Sequence, residues 1–173
     1  LDFLHPEFCA LVEGSLQPVH KSAVIKDMLI PESRWFAPEP VNVSNALTSL
    51  KDSFKQASSL SSIIFGSNMD FSGVTDMSSA FFQISTTPTT LTFDASADFG
   101  ALTTVGSLVG SGSTRKMTTA SYDALLVRLE ATNSNTVTLN VNASQYTAGS
   151  AADTARAALI ADHSWTISDG GSV

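Results

Sequence analysis

Side chains able to do chemistry are thinly spread along these 173 residues. There are three histidines, His5, His20 and His163, and one cysteine, Cys9. No two histidines stand at metal-ligand spacing, and one cysteine can close no internal disulfide and build no paired-cysteine zinc site. Cys9, between Phe8 and Leu11, reads as a small buried apolar residue. Ser107 lies in Gly106-Ser107-Leu108-Val109-Gly110, which has the wrong spacing for a nucleophile elbow. The Gly-Ser-Gly-Ser stretch at 110–113 lacks the Gly-Lys-Ser/Thr ending of a phosphate loop and reads as a linker turn. Asp70, Asp76, Asp94, Asp98 and Asp123 are of the type that glycoside hydrolysis uses in pairs. They fall at expected helix starts and turns, where carboxylates cap backbone amides. Asp94 and Asp98 show no calcium-loop spacing either. The expectation is no catalytic residue, no metal site and no cofactor. Asn42-Val43-Ser44 and Asn142-Ala143-Ser144 match the glycosylation acceptor pattern, which a chain rich in Ser and Asn produces readily by chance.

Composition narrows the partners. Nine Lys and Arg against sixteen Asp and Glu give a net charge of −7. Apart from Arg115-Lys116 the basic residues do not cluster, so the multiple phosphate neutralisation that nucleic acids require is not expected, nor is an anionic membrane surface. No apolar stretch approaches the roughly 20 residues of a membrane span. Charged residues are only 14% of the chain, so its polar surface must be built from hydroxyls and amides. The opening Leu1-Asp2-Phe3-Leu4-His5-Pro6 shows no secretory signal, and the missing initiator Met suggests a processed chain or a fragment.

The elements that position these groups follow a period. Residues 1–41 hold five of the six prolines and read as an extended arm or anchoring segment, with a short helix over 6–16, strand or helix over 24–30, and an extended run at 34–40. From there Leu47, Leu50 and Phe54 align with Val74, Met77 and Phe81, and then with Leu102, Val105 and Val109, at offsets of 27 and then 28. The internal spacing of three and four predicts a short helix in each unit. Ile63-Ile64-Phe65 and Leu91-Thr92-Phe93, again 28 apart, predict strands. Later come a helix carrying Tyr122, Leu125, Leu126 and Leu129, capped by Thr119 or Ser121, and a strand over 137–141. A second helix over 151–161 and a strand over 165–167 close the pattern. Units this short cannot bury their apolar faces alone. Stacking them gives an α/β solenoid over 42–173, a parallel sheet on one side and helices on the other, with a capping unit from about 118.

Val74-Thr75-Asp76-Met77-Ser78-Ser79-Ala80-Phe81, and Leu47 to Phe54 followed by 57–63, resemble the BspA-type leucine-rich repeats of bacterial surface proteins and some phage proteins. The last 55 residues, through Tyr122-Asp123-Ala124-Leu125-Leu126, Tyr146-Thr147, Ala155-Arg156 and 165–171, are similar to the C-terminal unit following such repeats in phage tail and surface proteins. The resemblance implies a leucine-rich-repeat-like solenoid and a non-enzymatic virion surface protein, a tail or fibre attachment module. Capsid decoration or a fragment of a bacterial adhesin is the alternative. It also implies a larger assembly, with 1–41 contacting other virion subunits and the rest meeting a host glycan or protein. If Leu91, Phe93, Val137, Leu139, Val141, Trp165 and Ile167 point inward, strand alternation turns Thr92, Thr138, Asn140, Thr166 and Ser168 outward as the candidate binding face.

Overall fold

A computed structural model describes residues 22–25 (backbone only), 47–85, 87–110 and 115–173. The readings for 6–16 and 34–40, for Cys9, His5, His20 and Asn42, and for the turn at 111–113 lie outside the described residues. The fold is mixed α/β: short parallel strands and two helices, with no closed barrel among the described residues. Strands β1 (Ser22–Ile25), β2 (Ser62–Phe65) and β3 (Thr90–Phe93) form one sheet in that order. Strands β4 (Gly106–Ser107), β5 (Thr138–Asn140) and β6 (Thr166–Ser168) form a second. Helix α1 (Thr119–Thr132) lies between β4 and β5, and α2 (Ala151–His163) between β5 and β6. All pairings are parallel, with Ile63 opposite Leu91 and Leu139 opposite Ile167. β1 lies inside the segment read as an arm, so the first sheet begins there.

The sequence pattern predicted a single sheet and a helix in every unit, and the structure departs from both. Residues 47–56, 74–83 and 102–109 form no helix. The first two run as successive four-residue turns, with Ser53 N–H donating to the Leu50 carbonyl, Ala57 to Phe54 and Ala80 to Met77, while 102–109 holds the Thr104 bridge and β4. The third turn position takes positive φ at Asp52, Gln56, Ser79 and Gln83, between 56° and 64°, as in a type II turn. A path advancing four residues per turn places apolar side chains inward at nearly helical spacing, so periodicity alone does not separate the two. Local side-chain chemistry does: Asp76 Oδ1 accepts the Ser78 amide at 2.7 Å, a bond that competes with a helical backbone.

These turns are not left with bare amides. Leu50, Asp52, Phe54 and Gln56 donate to the carbonyls of Asp76, Ser78, Ala80 and Phe82, each 26 residues on, at 2.8–3.1 Å. Met77, Phe81 and Gln83 then donate to Thr104, Leu108 and Val109. Thr75 and Thr103 add their hydroxyls at the same seam, each to a carbonyl 27 or 28 residues back. Inside, aromatic rings stack at that period: Phe54 on Phe81 (5.5 Å between centroids), Phe65 on Phe93 (5.0 Å) and Phe71 against Phe99 (5.4 Å).

Both expected late helices are present, with caps one residue from those predicted or newly identified. Thr118, rather than Thr119 or Ser121, caps α1 by accepting the Ser121 amide. Ser150 caps α2, accepting from Ala152 and Asp153. The face carrying Tyr122, Leu125, Leu126 and Leu129 is buried in the same core as Leu139, Val141 and Leu159.

Two outcomes follow for stability in urea. Phe65→Ala, at a fully buried ring touching four other phenylalanines, should cost about 3–5 kcal/mol. At Gln56, exposed with φ 64°, Gly should be neutral or stabilising and Val should destabilise by about 1–2 kcal/mol. A helical segment would reverse that order, since Gly there costs about 1 kcal/mol.

Candidate functional site

The predicted face is only partly brought together. Alternation puts Ile63, Phe65, Leu91 and Leu139 in the core and leaves Thr92, Thr138, Thr166 and Ser168 exposed. Thr138 stands opposite Thr166, and Asn140 opposite Ser168, across β5 and β6. Thr92 belongs to the other sheet, opposite Ile64, and does not join them. Asn140 is half-buried, and its Oδ1 accepts the Asn142 amide at 2.9 Å, so it serves the turn after β5. Thr138, Thr166 and Ser168 therefore remain as adjacent hydroxyls that make no side-chain hydrogen bond among the described residues. They can donate to and accept from a polar ligand.

The carboxylates raised as catalytic candidates are each occupied locally. Asp70 accepts the Ser72 amide, Asp76 that of Ser78, Asp94 that of Ser96 and Asp98 that of Gly100, all at 2.7–2.9 Å. Ser96 bonds hold the Asp94 carboxyl below its ordinary value. Asp123 lies within α1 rather than at a turn and holds Thr147, through its amide at 2.9 Å and its hydroxyl at 2.6 Å. No group of three His, Cys, Asp or Glu among the described residues is placed to hold a metal, and no helix there is long and apolar enough to cross a membrane. His163 ends α2, where its carbonyl accepts from Thr136. Asn142 of the second acceptor triplet donates to the Arg115 carbonyl, and its Ser144 is sealed in the core, which argues against modification of the folded chain.

The polar residues that matter most to the structure went unread in the sequence. Asp169 has a side chain 4% exposed. Its Oδ2 accepts from Arg156 Nε at 2.7 Å and from the Tyr122 hydroxyl at 2.8 Å. Its Oδ1 accepts from Arg156 Nη2 at 3.3 Å and the Gly171 amide at 3.1 Å. Arg156 also lies 5.2 Å from the centre of the Tyr146 ring. This cluster ties α1, α2 and the chain after β6 together. Asn133, Asn135, Ser121 and Ser144 do similar work between units: Asn133 Nδ2 donates to the carbonyls of Phe99 and Leu102, and the Ser121 and Ser144 hydroxyls accept the amides of Leu91 and Met117. The only signal for them was a polar residue beside apolar ones at the repeat period, which a Ser- and Asn-rich chain offers many times over.

Burial raises the Asp169 carboxyl, but the hydrogen bonds from Arg156, Tyr122 and the Gly171 amide, with the guanidinium charge, outweigh it and leave it below its ordinary value. Burial, then the Asp169 charge and hydrogen bond, push the Tyr122 phenol well above its usual range.

No family model, no curated protein and no solved structure matches the chain.

The two shifts give stability a sign at each end of the pH scale. The depressed Asp169 contributes above the unfolded value of 3.8, and the contribution is lost as pH falls through its folded value. The raised Tyr122 contributes below the unfolded value of 10.0 and is lost as pH rises beyond it. In an alkaline absorbance titration Tyr122 should ionise only as the fold opens, and Tyr122→Phe should remove that component. A Tyr122 that titrates freely in the folded chain would contradict the buried Asp169 contact.

Proposed function

We propose that this chain is a non-enzymatic recognition module of a larger surface assembly, in the manner of a tailed-phage tail or fibre component, built as a leucine-rich-repeat-like solenoid. The solenoid reading is supported by two sets of parallel backbone pairings, in which β2–β3, β5–β6 and the isolated bridges are spaced 26–28 residues apart while β1–β2 and β4–β5 span 40 and 33. One runs through β1, β2 and β3 to the Thr89–Met117 bridge; Met117 N–H then donates to the Ser144 hydroxyl, and a separate Tyr146–Ser172 bridge follows. The other passes through the Ser49–Asp76–Thr104 bridges and on through β4, β5 and β6. The virion assignment is supported by the resemblance to BspA-type repeats and phage surface units, and by a surface low in charge.

The observation that carries recognition is the paired hydroxyl patch of Thr138, Thr166 and Ser168. It is exposed, spaced by strand pairing, and makes no side-chain hydrogen bond among the described residues. Hydroxyls held at strand spacing match the hydroxyl and amide groups of a surface glycan or a polar protein loop. The commitment of Asp70, Asp76, Asp94, Asp98 and Asp123 to local amides favours binding over hydrolysis.

A fluorescently labelled chain titrated onto a panel of bacterial cells should bind saturably to some of them. Thr138→Arg, at an exposed position where the fold tolerates a long side chain, should lower that affinity tenfold or more, about 1.4 kcal/mol, with unchanged circular dichroism. Absence of binding to any cell, together with stoichiometric association with capsids, would replace attachment by a decoration role.

A further inference from the structure

The chain after α2 is attached differently from the rest. Thr166, Ser168, Gly170, Ser172 and Val173 are exposed, and Trp165 alone in this stretch is fully buried. Backbone bonds hold it against the preceding unit: Val141 N–H to Ser168, Gly170 to Ser144, Tyr146 to Gly171, Val173 to Tyr146 and Ala148 to Val173, at 2.8–3.2 Å. Within residues 166–173 the apolar contribution to the core is Ile167, which is partly buried. Exposed backbone bonds with few apolar contacts mark the segments that open at low free energy. What singles this one out is Asp169, whose carboxylate takes four hydrogen bonds from Arg156, Tyr122 and Gly171. Removing a partner from such a buried pair leaves the other charge uncompensated, which is strongly unfavourable locally. Close approach adds a second constraint: a Cβ on Gly170 would lie 2.6 Å from the Ala143 carbonyl oxygen.

We propose that residues 166–173 are a strap, latched by Tyr122, Arg156 and Asp169, that opens as a unit separate from the phenylalanine-stacked half of the fold. Thr166 and Ser168 ride on the strap, so the latch sets whether they stand beside Thr138. The proposal does not depend on the recognition reading, because its readout is amide exchange rather than binding.

The test is NMR-detected hydrogen exchange on the full chain, comparing wild type with Asp169→Asn, Gly170→Ala and Tyr122→Phe. In Asp169→Asn the amides of Val141, Tyr146, Ala148, Gly170 and Val173 should exchange about tenfold faster or more, with Met77, Phe81 and Leu102 unchanged. Gly170→Ala, which displaces the strap from Ala143 while keeping both charges of the ion pair, should reproduce that map, and Tyr122→Phe should reproduce it more weakly. Equal acceleration at Met77 and Phe81 would mean a single cooperative unit and overturn the proposal. So would unchanged exchange in the strap. If Asp169→Asn fails to fold, the same comparison is read from Tyr122→Phe, which deletes one hydroxyl.

Discussion

The first half of the described chain, residues 47–99, depends on contact between phenylalanine rings at one repeat spacing. Phe54 on Phe81, Phe65 on Phe93 and Phe71 tilted against Phe99 form three ring pairs in the core of this half, and edge contacts join them laterally, as between Phe65 and Phe71 and between Phe93 and Phe99. A ring pair tolerates little slippage, because a shift of one residue along a strand turns its side chains to the opposite face. The pairs therefore fix the register in which β2 meets β3. They also fix the level at which turns 50–57 and 77–84 lie side by side, so that each turn amide finds a carbonyl on its neighbour. Hydrogen bonding follows from packing here, since turns with these φ values have no satisfying partner of their own for half their amides.

The period was legible in the sequence because it is written in large apolar residues, and so were strands β2, β3, β5 and β6 and both helices. The identity of the repeated element was not. Leu50 and Phe54, or Met77 and Phe81, have the same spacing in a helix and in tandem turns. What separates the alternatives is the tolerance of Asp52, Gln56, Ser79 and Gln83 for positive φ, and no composition rule marks glutamine as a turn residue. The split into two sheets was hidden for a related reason. The strand position that recurs at 62 and 90 falls next at 118, where Thr118 bonds Thr89 and then caps α1, so a helix takes the place of the next strand. Of the predicted face, Thr138, Thr166 and Ser168 were readable from alternation. Asn140 was misread because an amide side chain in a strand can turn back onto its own backbone, and Thr92 because alternation says nothing about which sheet a strand joins.

A change of aromatic residue divides the chain more deeply than the change of sheet. The last phenylalanine is Phe99, and beyond it the buried aromatic positions are Tyr122, Tyr146 and Trp165. Phenylalanine asks nothing of its surroundings except shape, whereas a buried phenol or indole brings a donor that must be paired. Each fully buried donor is paired: Tyr122 with Asp169 at 2.8 Å, and Trp165 Nε1 with the Asn135 carbonyl at 2.8 Å. The acceptors then need partners in turn. Asp169 recruits Arg156, and Asn135 also donates to Gly100 and Leu102. No buried side-chain polar atom among the described residues is left unpaired. The polar cluster of the second half is thus the consequence of replacing apolar rings by polar ones. The strands that carry the exposed hydroxyl patch are tied by directional hydrogen bonds to Asp169 and Asn135, whereas those of the first half are tied by contact between rings that carry no polar atom.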